Sequence, residues 1–223
     1  MDVRHEDGIA MIMAMAATLL MSALGIALVL TTSSETIISS NFRDASEAAY
    51  AADAALERSI DDLSRAPDWN AVLTGSAQSE FIDGAPSGTR TLADRSTIDL
   101  GHVVNMANCG KVADCSEADL DAVTPQRPWG TNNPRWQLYA YGTLGGMLPN
   151  DRIDSPFYVL VMVGDDSSET DGQPLQDGID TPGAGVLALR AEALGPRGAR
   201  RTIEMTIART RAGVRILSWR ETR

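Results

Sequence analysis

Residues 9–34 read IAMIMAMAATLLMSALGIALVLTTSS, and none of them carries a charge. About 20 apolar residues cross the hydrocarbon core of a bilayer as a helix, so this stretch is long enough to span a membrane. A helix buried in a soluble protein would show a polar stripe within that length, and here there is none. The run exceeds the roughly 7–15-residue apolar core of a cleaved secretory signal, and from Glu35 onward the sequence reads as more helix rather than as a cleavage site and a fresh start. Ahead of it the leader MDVRHEDG sets Arg4 and His5 against Asp2, Glu6 and Asp7, which leaves basic residues little say in orientation.

Downstream, Ile38, Phe42, Ala45, Ala49, Ala52 and Leu56 are spaced 4, 3, 4, 3 and 4 apart, and Ile60 and Leu63 extend the series. That is an apolar stripe at helical period, with Glu35, Arg43, Asp44, Glu47, Asp53, Glu57, Arg58, Asp61 and Asp62 mostly on other faces. Alanine, the strongest helix former, dominates the region. No proline occurs before Pro67, and SRAPDW reads as a stop. The pattern predicts one helix from about Ile9 to Arg65, roughly 85 Å long at ~1.5 Å per residue. Its first half (9–34) would lie in lipid, with Gly25 its one soft point and small residues such as Ala14, Ala16, Ala17, Ser22 and Ala23 permitting close helix approach. Its second half (35–66) would pack through the stripe from Phe42 through Ala49 and Leu56 on a soluble domain.

Residues 67–223 read as that domain. Up to Arg135 it is rich in Gly, Pro, Asn, Asp and Ser, and no strand can be placed. Beyond it, WQLYAYGTL (136–144) alternates, with Trp136, Leu138 and Ala140 expected on one face. FYVLVMV (157–163) is a continuous apolar run between Pro156 and Gly164, the mark of a central strand covered on both sides. GVLALRAEALG (185–195) is a third strand. RRTIEMTIART (200–210) alternates with Ile203, Met205 and Ile207 inward, and VRILSW (214–219) is a fifth. Gly195-Pro196-Arg197-Gly198 and Ala212-Gly213 are turns, and tight turns imply antiparallel neighbours. The expected fold class is α+β, a long helix running into an antiparallel meander.

The whole chain of 223 residues has a net charge of −11, which argues against nucleic-acid binding. Two histidines, His5 and His102, and two cysteines leave little for metal or triad chemistry, so composition speaks against a metalloenzyme or a His-dependent hydrolase. Cys109 and Cys115, six apart in a loop of a chain with an export-type segment, read as a small disulfide loop. Asp165, Asp166, Glu169, Asp171, Asp177 and Asp180 crowd into 164–185. Such carboxylates could ligate Ca2+, but the EF-hand spacing is not met, and the plain reading is a solvated, turn-rich loop without a cofactor. From Arg190 to Arg223 nine arginines face three glutamates, for +6, a tail that could meet an acidic surface of another subunit.

The leader ending in Gly8, the uncharged helix beginning at Ile9, its continuation LTTSSETIISSNFRDASEAAYAADAALERS (30–59) and the sheet domain together resemble type IV pilins and pseudopilins. The chain more closely resembles minor pilins of the PilX kind. The resemblance implies that prepilin peptidase cuts after Gly8 and that Ile9 becomes a methylated N-terminus. Met13 then stands at the fifth mature position, where shaft pilins have a glutamate that pairs with a neighbour's terminal amine. The resemblance also implies an inner-membrane anchor with the C-terminal domain outside the cytoplasm, and other pilins and a pilus tip adhesin as partners. The function it implies is a minor pilin that initiates, caps or decorates a type IV pilus. Two alternatives remain open on sequence: a minor pseudopilin of a type II secretion system, and a membrane-anchored periplasmic enzyme or binding protein. The second lacks any cluster of catalytically apt residues.

Overall fold

The structure, a computed structural model, describes residues 6–147, 154–178 and 185–222. Leader residues 1–5 and Asp180 lie outside the described residues. Helix α1 (Glu6–Arg65) runs through 60 residues without a break. The chain divides into two compact units, Met1–Arg43 and Asp44–Arg223.

In the first unit the helix is exposed on every side, and the large apolar residues from Ile9 to Leu30 are all open to the surroundings. It is the one described helix long and apolar enough to cross a membrane.

The second unit begins with the last turns of α1. Then come α2 (Trp69–Leu73), a hairpin of β1 (Thr89–Thr91) and β2 (Thr97–Asp99), α3 (Leu100–Cys109) and α4 (Glu117–Leu120). The main sheet follows: β3 (Gln137–Thr143), the short α5 (Leu144–Met147), β4 (Tyr158–Asp165), β5 (Val186–Leu194), β6 (Arg200–Thr210) and β7 (Gly213–Thr222). Its strand order is β3-β4-β5-β6-β7, antiparallel throughout, which is the expected meander.

The sheet is the middle of three layers. On one face Val159, Val161, Val163, Leu187, Leu189, Ile203, Met205 and Ile207 meet the alanine face of α1 together with Trp69, Val72 and Leu73 of α2. On the other, Tyr158, Leu160 and Met162 meet Leu100 of α3, Leu92, Trp136, Leu138 and Tyr141. Every residue of β4 is therefore buried, which matches the unbroken apolar run 157–163, and the strand carries Asp165 inward at its end. At the β5–β6 turn, Gly195 lies against Phe157 so closely that a Cβ would fall 2.1 Å from the ring, which only glycine avoids.

Two expectations need correction. Ala140 does not share a face with Trp136 and Leu138: the register of β3 slips between Leu138 and Ala140, so Ala140 joins the helix-side core while the other two face α3. One extra residue in a strand inverts the alternation beyond it. On α1 the buried line is Ala48, Ala51, Ala52, Ala55, Leu56, Ser59 and Leu63, so the stripe drawn through Phe42, Ala45 and Ala49 is displaced by about one residue. Alanines occupy several faces of that helix, and hydrophobicity alone does not say which of them meets the sheet.

Candidate assembly interface

The apolar half of α1 carries hydroxyls that would be costly in lipid if left unbonded. Thr18, Ser22, Thr31, Thr32, Ser34 and Thr36 turn back on their own helix. Thr18 donates to Met15 O (2.9 Å), Ser22 to Thr18 O (2.8 Å), Thr31 to Ala27 O (3.0 Å) and Thr32 to Leu28 O (2.9 Å). Ser34 and Thr36 bond Leu30 O and Thr32 O in the same way. What the helix presents outward is methyl, methylene and thioether. Met13 is 67% exposed, and a Cβ added at Gly25 would meet nothing within 4 Å. Gly8 lies inside the first turns, and a Cβ there would also meet nothing within that distance. Ile9 begins the exposed apolar run.

Of the other residues expected to pack, Leu56 is fully buried, Ala49 is half-buried and Phe42 is 74% exposed. Burying a leucine contributes about 1.5–3 kcal/mol, so Leu56 and Leu63 supply most of the apolar energy on a face otherwise made of alanine. The end of α1 is tied down by Arg209. It donates to Ala66 O (2.8 Å) and Pro67 O (3.2 Å) and lies 4.3 Å over the Trp69 ring. A cation at a helix C-terminus is favourable by itself.

Cys109 and Cys115 are joined, with Cα atoms 6.1 Å apart. Helix α3 ends in Gly110 at φ +71°, a left-handed turn that lets the chain double back. Lys111 then pairs with Asp119 (2.5 Å), whose carboxyl it holds down at about 2 with help from Ser116. The closed loop stabilises by about 2–2.5 kcal/mol in the chain-entropy model. Beneath it Arg127 donates to Ala107 O, Leu120 O and Pro134 O, and burial lowers its pKa to about 10. Asn108 and Trp136 bond reciprocally at 3.0 and 2.8 Å.

The acidic segment is spread out. Asp165, at the end of β4, and Glu169 are buried; Asp171 caps Gln173 N (2.7 Å); Asp177 accepts from Gly185 N (2.5 Å); Asp166 bonds Ser168. Among the described residues no group of three or more His, Cys, Asp or Glu is placed to hold a metal ion. Burial first, then Glu169, Asp177 and Asp171, push the Asp165 carboxyl up to about 8.

A charged ladder on the α3 side of β5–β7 escaped the sequence reading. Glu192, fully buried, accepts from Arg190 (3.0 Å) and Arg200 (2.5 Å); Arg190 also donates to Glu204 (2.6 Å), which Arg220 bonds in turn. Much of the basic tail is therefore neutralised within its own sheet. The signal lay in Arg190 and Glu192 standing two apart on one strand, with Glu204 alternating on the next.

A membrane-length apolar helix that continues into the core of an antiparallel α+β domain defines the pilin-like class of fold. Residues 7–57 match the family model described as PilX N-terminal. The match covers the apolar half of α1 and most of its continuation, less than half of the chain, and shows a likeness to the N-terminal region of PilX-type pilins. No curated protein and no solved structure matches the chain.

Proposed function

We propose that this chain is a low-copy minor pilin that initiates, caps or decorates a type IV pilus. It would be held before assembly as a single-pass inner-membrane protein with its C-terminal domain outside the cytoplasm. The observation that carries the reading is Met13, an apolar side chain open to the surroundings at the fifth position after Gly8. A repeating shaft subunit would need a carboxylate there in every copy, to pair with the terminal amine of its neighbour. A subunit with a thioether fits where its own position needs no such pair, or where a neighbour supplies the charge. Prepilin peptidase is the processing partner, Gly8–Ile9 the bond it cuts, and a tip adhesin a partner for the soluble unit. Quantitative mass spectrometry of sheared pili tests the proposal. The chain should be present at a small fraction of the shaft subunit, and deleting it should reduce the number of surface pili without altering the shaft. Equal abundance with the shaft subunit would refute it.

A further inference from the structure

The two edges of the main sheet differ. Along β3 the chain lays its own cover: Ser79 N–H donates to Tyr139 O (3.0 Å), Asp83 N–H to Tyr141 O (2.9 Å) and Tyr141 N–H to Phe81 O (3.0 Å), with Ile82 bridging Tyr141 in parallel. At the other edge β7 is paired with β6, and no described strand lies beyond it. In such a strand alternate N–H and C=O groups point away from the sheet, a template for another extended chain. Natural edges are short or blunted; β7 has ten residues, interrupted by one bulge, and beyond the bulge five of them form an unbroken edge. Ile216, Leu217 and Trp219, 42%, 51% and 52% exposed, are the exposed large apolar residues of the main sheet among those described.

The register sorts the side chains of β7 by face. Ile216 lies opposite Ile207 and Trp219 opposite Met205, on the side of α1, where the Trp219 indole N–H donates to Asp53 (3.1 Å). Arg215 lies opposite Ala208, Ser218 opposite Thr206 and Arg220 opposite Glu204, on the other side. Leu217 is the extra residue of a bulge, beyond which Ser218–Thr222 pair one to one with β6. The α1-side face is apolar at Ile216 and Trp219 and ends in Glu221, which pairs with Arg201 (3.0 Å); the other face carries Arg215 and, bonded to Glu204, Arg220. We propose that β7 is a docking edge for an extended segment of a partner protein whose side chains alternate between acidic and apolar. Backbone bonds along Ser218–Thr222 would add it to the sheet, its carboxylates meeting Arg215 and competing with Glu204 for Arg220, and its apolar side chains meeting Ile216 and Trp219. A second copy of β7 brings the same arginines and only Glu221 as a carboxylate, so it complements this edge less well than an acidic and apolar segment does. The inference concerns the soluble unit and stands whether or not the filament reading does.

The test uses the full chain in non-ionic detergent micelles and a synthetic peptide of about nine residues alternating Asp and Val, a length that matches the strand. A Lys-Val peptide of the same pattern is the control. Amide hydrogen exchange should slow within 213–222 on adding the acidic peptide and not the basic one. Binding should weaken roughly tenfold in Arg215→Glu, a substitution at an exposed position, and likewise in Trp219→Ala. Equal binding of both peptides, protection confined to other segments, or unchanged affinity in both variants would overturn the proposal. So would concentration-dependent self-association that protects β7 without peptide, since a second copy would then be the occupant.

Discussion

At Asp165 the environment favours the neutral acid: the side chain is buried, and Glu169, Asp177 and Asp171 add negative potential. The carboxyl rises from 3.8 to about 8, so the folded state holds a proton that the unfolded chain gives up. A raised acidic pKa means that stability is fully present below the unfolded value of 3.8, declines as pH rises and has lost this contribution once pH passes about 8. The slope is at most about 1.4 kcal/mol per pH unit. Asp165→Asn keeps the oxygen that accepts from Asp166 N–H (2.9 Å) and removes the charge. The melting temperature of the wild-type second unit, followed in the full chain, should fall between pH 5 and pH 8, while that of the variant should fall much less. Equal declines would show that Asp165 is ionised throughout. The sequence displayed the acidic crowd but could not show which member β4 carries into the interior. That depends on where a strand ends, and Asp165 is the last residue of β4.

Helix α1 and strands β4 to β7 were legible because each is a long periodic or continuous apolar run closed by proline or glycine, a signal contained within a few neighbouring residues. Residues 67–135 were not. What holds them is polar and remote in sequence: Arg127 on the carbonyls of Ala107, Leu120 and Pro134, Asn108 on the backbone of Trp136, and Asn133 on Leu120 O and Ala122 O. No hydrophobic period encodes such bonds. The face α1 turns to the sheet was half legible, right at Leu56 and Leu63 and displaced at Ala49. The energetic consequence is concentrated at Leu56, since the alanines around it bury little area. Leu56→Asp places an unpaired carboxylate against Val159, Val161 and their neighbours in one core. A buried charge without a partner costs about 3–5 kcal/mol. Thermal unfolding of the full chain in detergent should show the second unit destabilised by that order. A melting temperature within a degree or two of wild type would mean that the helix does not pack there.

At the scale of the whole molecule, the proposed function requires a helix long and apolar enough to span a membrane to move from lipid into a filament. From Ile9 to Leu30 the helix offers only apolar surface, its hydroxyls bonded to its own carbonyls, so lipid tails and neighbouring apolar helices are interchangeable surroundings for it. The leader is not interchangeable in this sense, since Asp2, Arg4, Glu6 and Asp7 precede Gly8. Each charge drawn into an apolar bundle would cost roughly 2.5–3.5 kcal/mol on insertion scales, so under the proposed function an uncut chain would stay anchored while one cut after Gly8 would be free to move between lipid and filament. Gly8→Leu separates the two states cleanly, because a side chain at Gly8 meets nothing within 4 Å and leucine is a good helix former. Intact-mass measurement of the wild-type protein should find a chain that begins at Ile9. The variant should keep residues 1–8, remain in the inner membrane at normal abundance and be missing from sheared pili. Recovery of the full-length variant in the filament fraction at wild-type level would mean that removal of the leader is not what releases the helix.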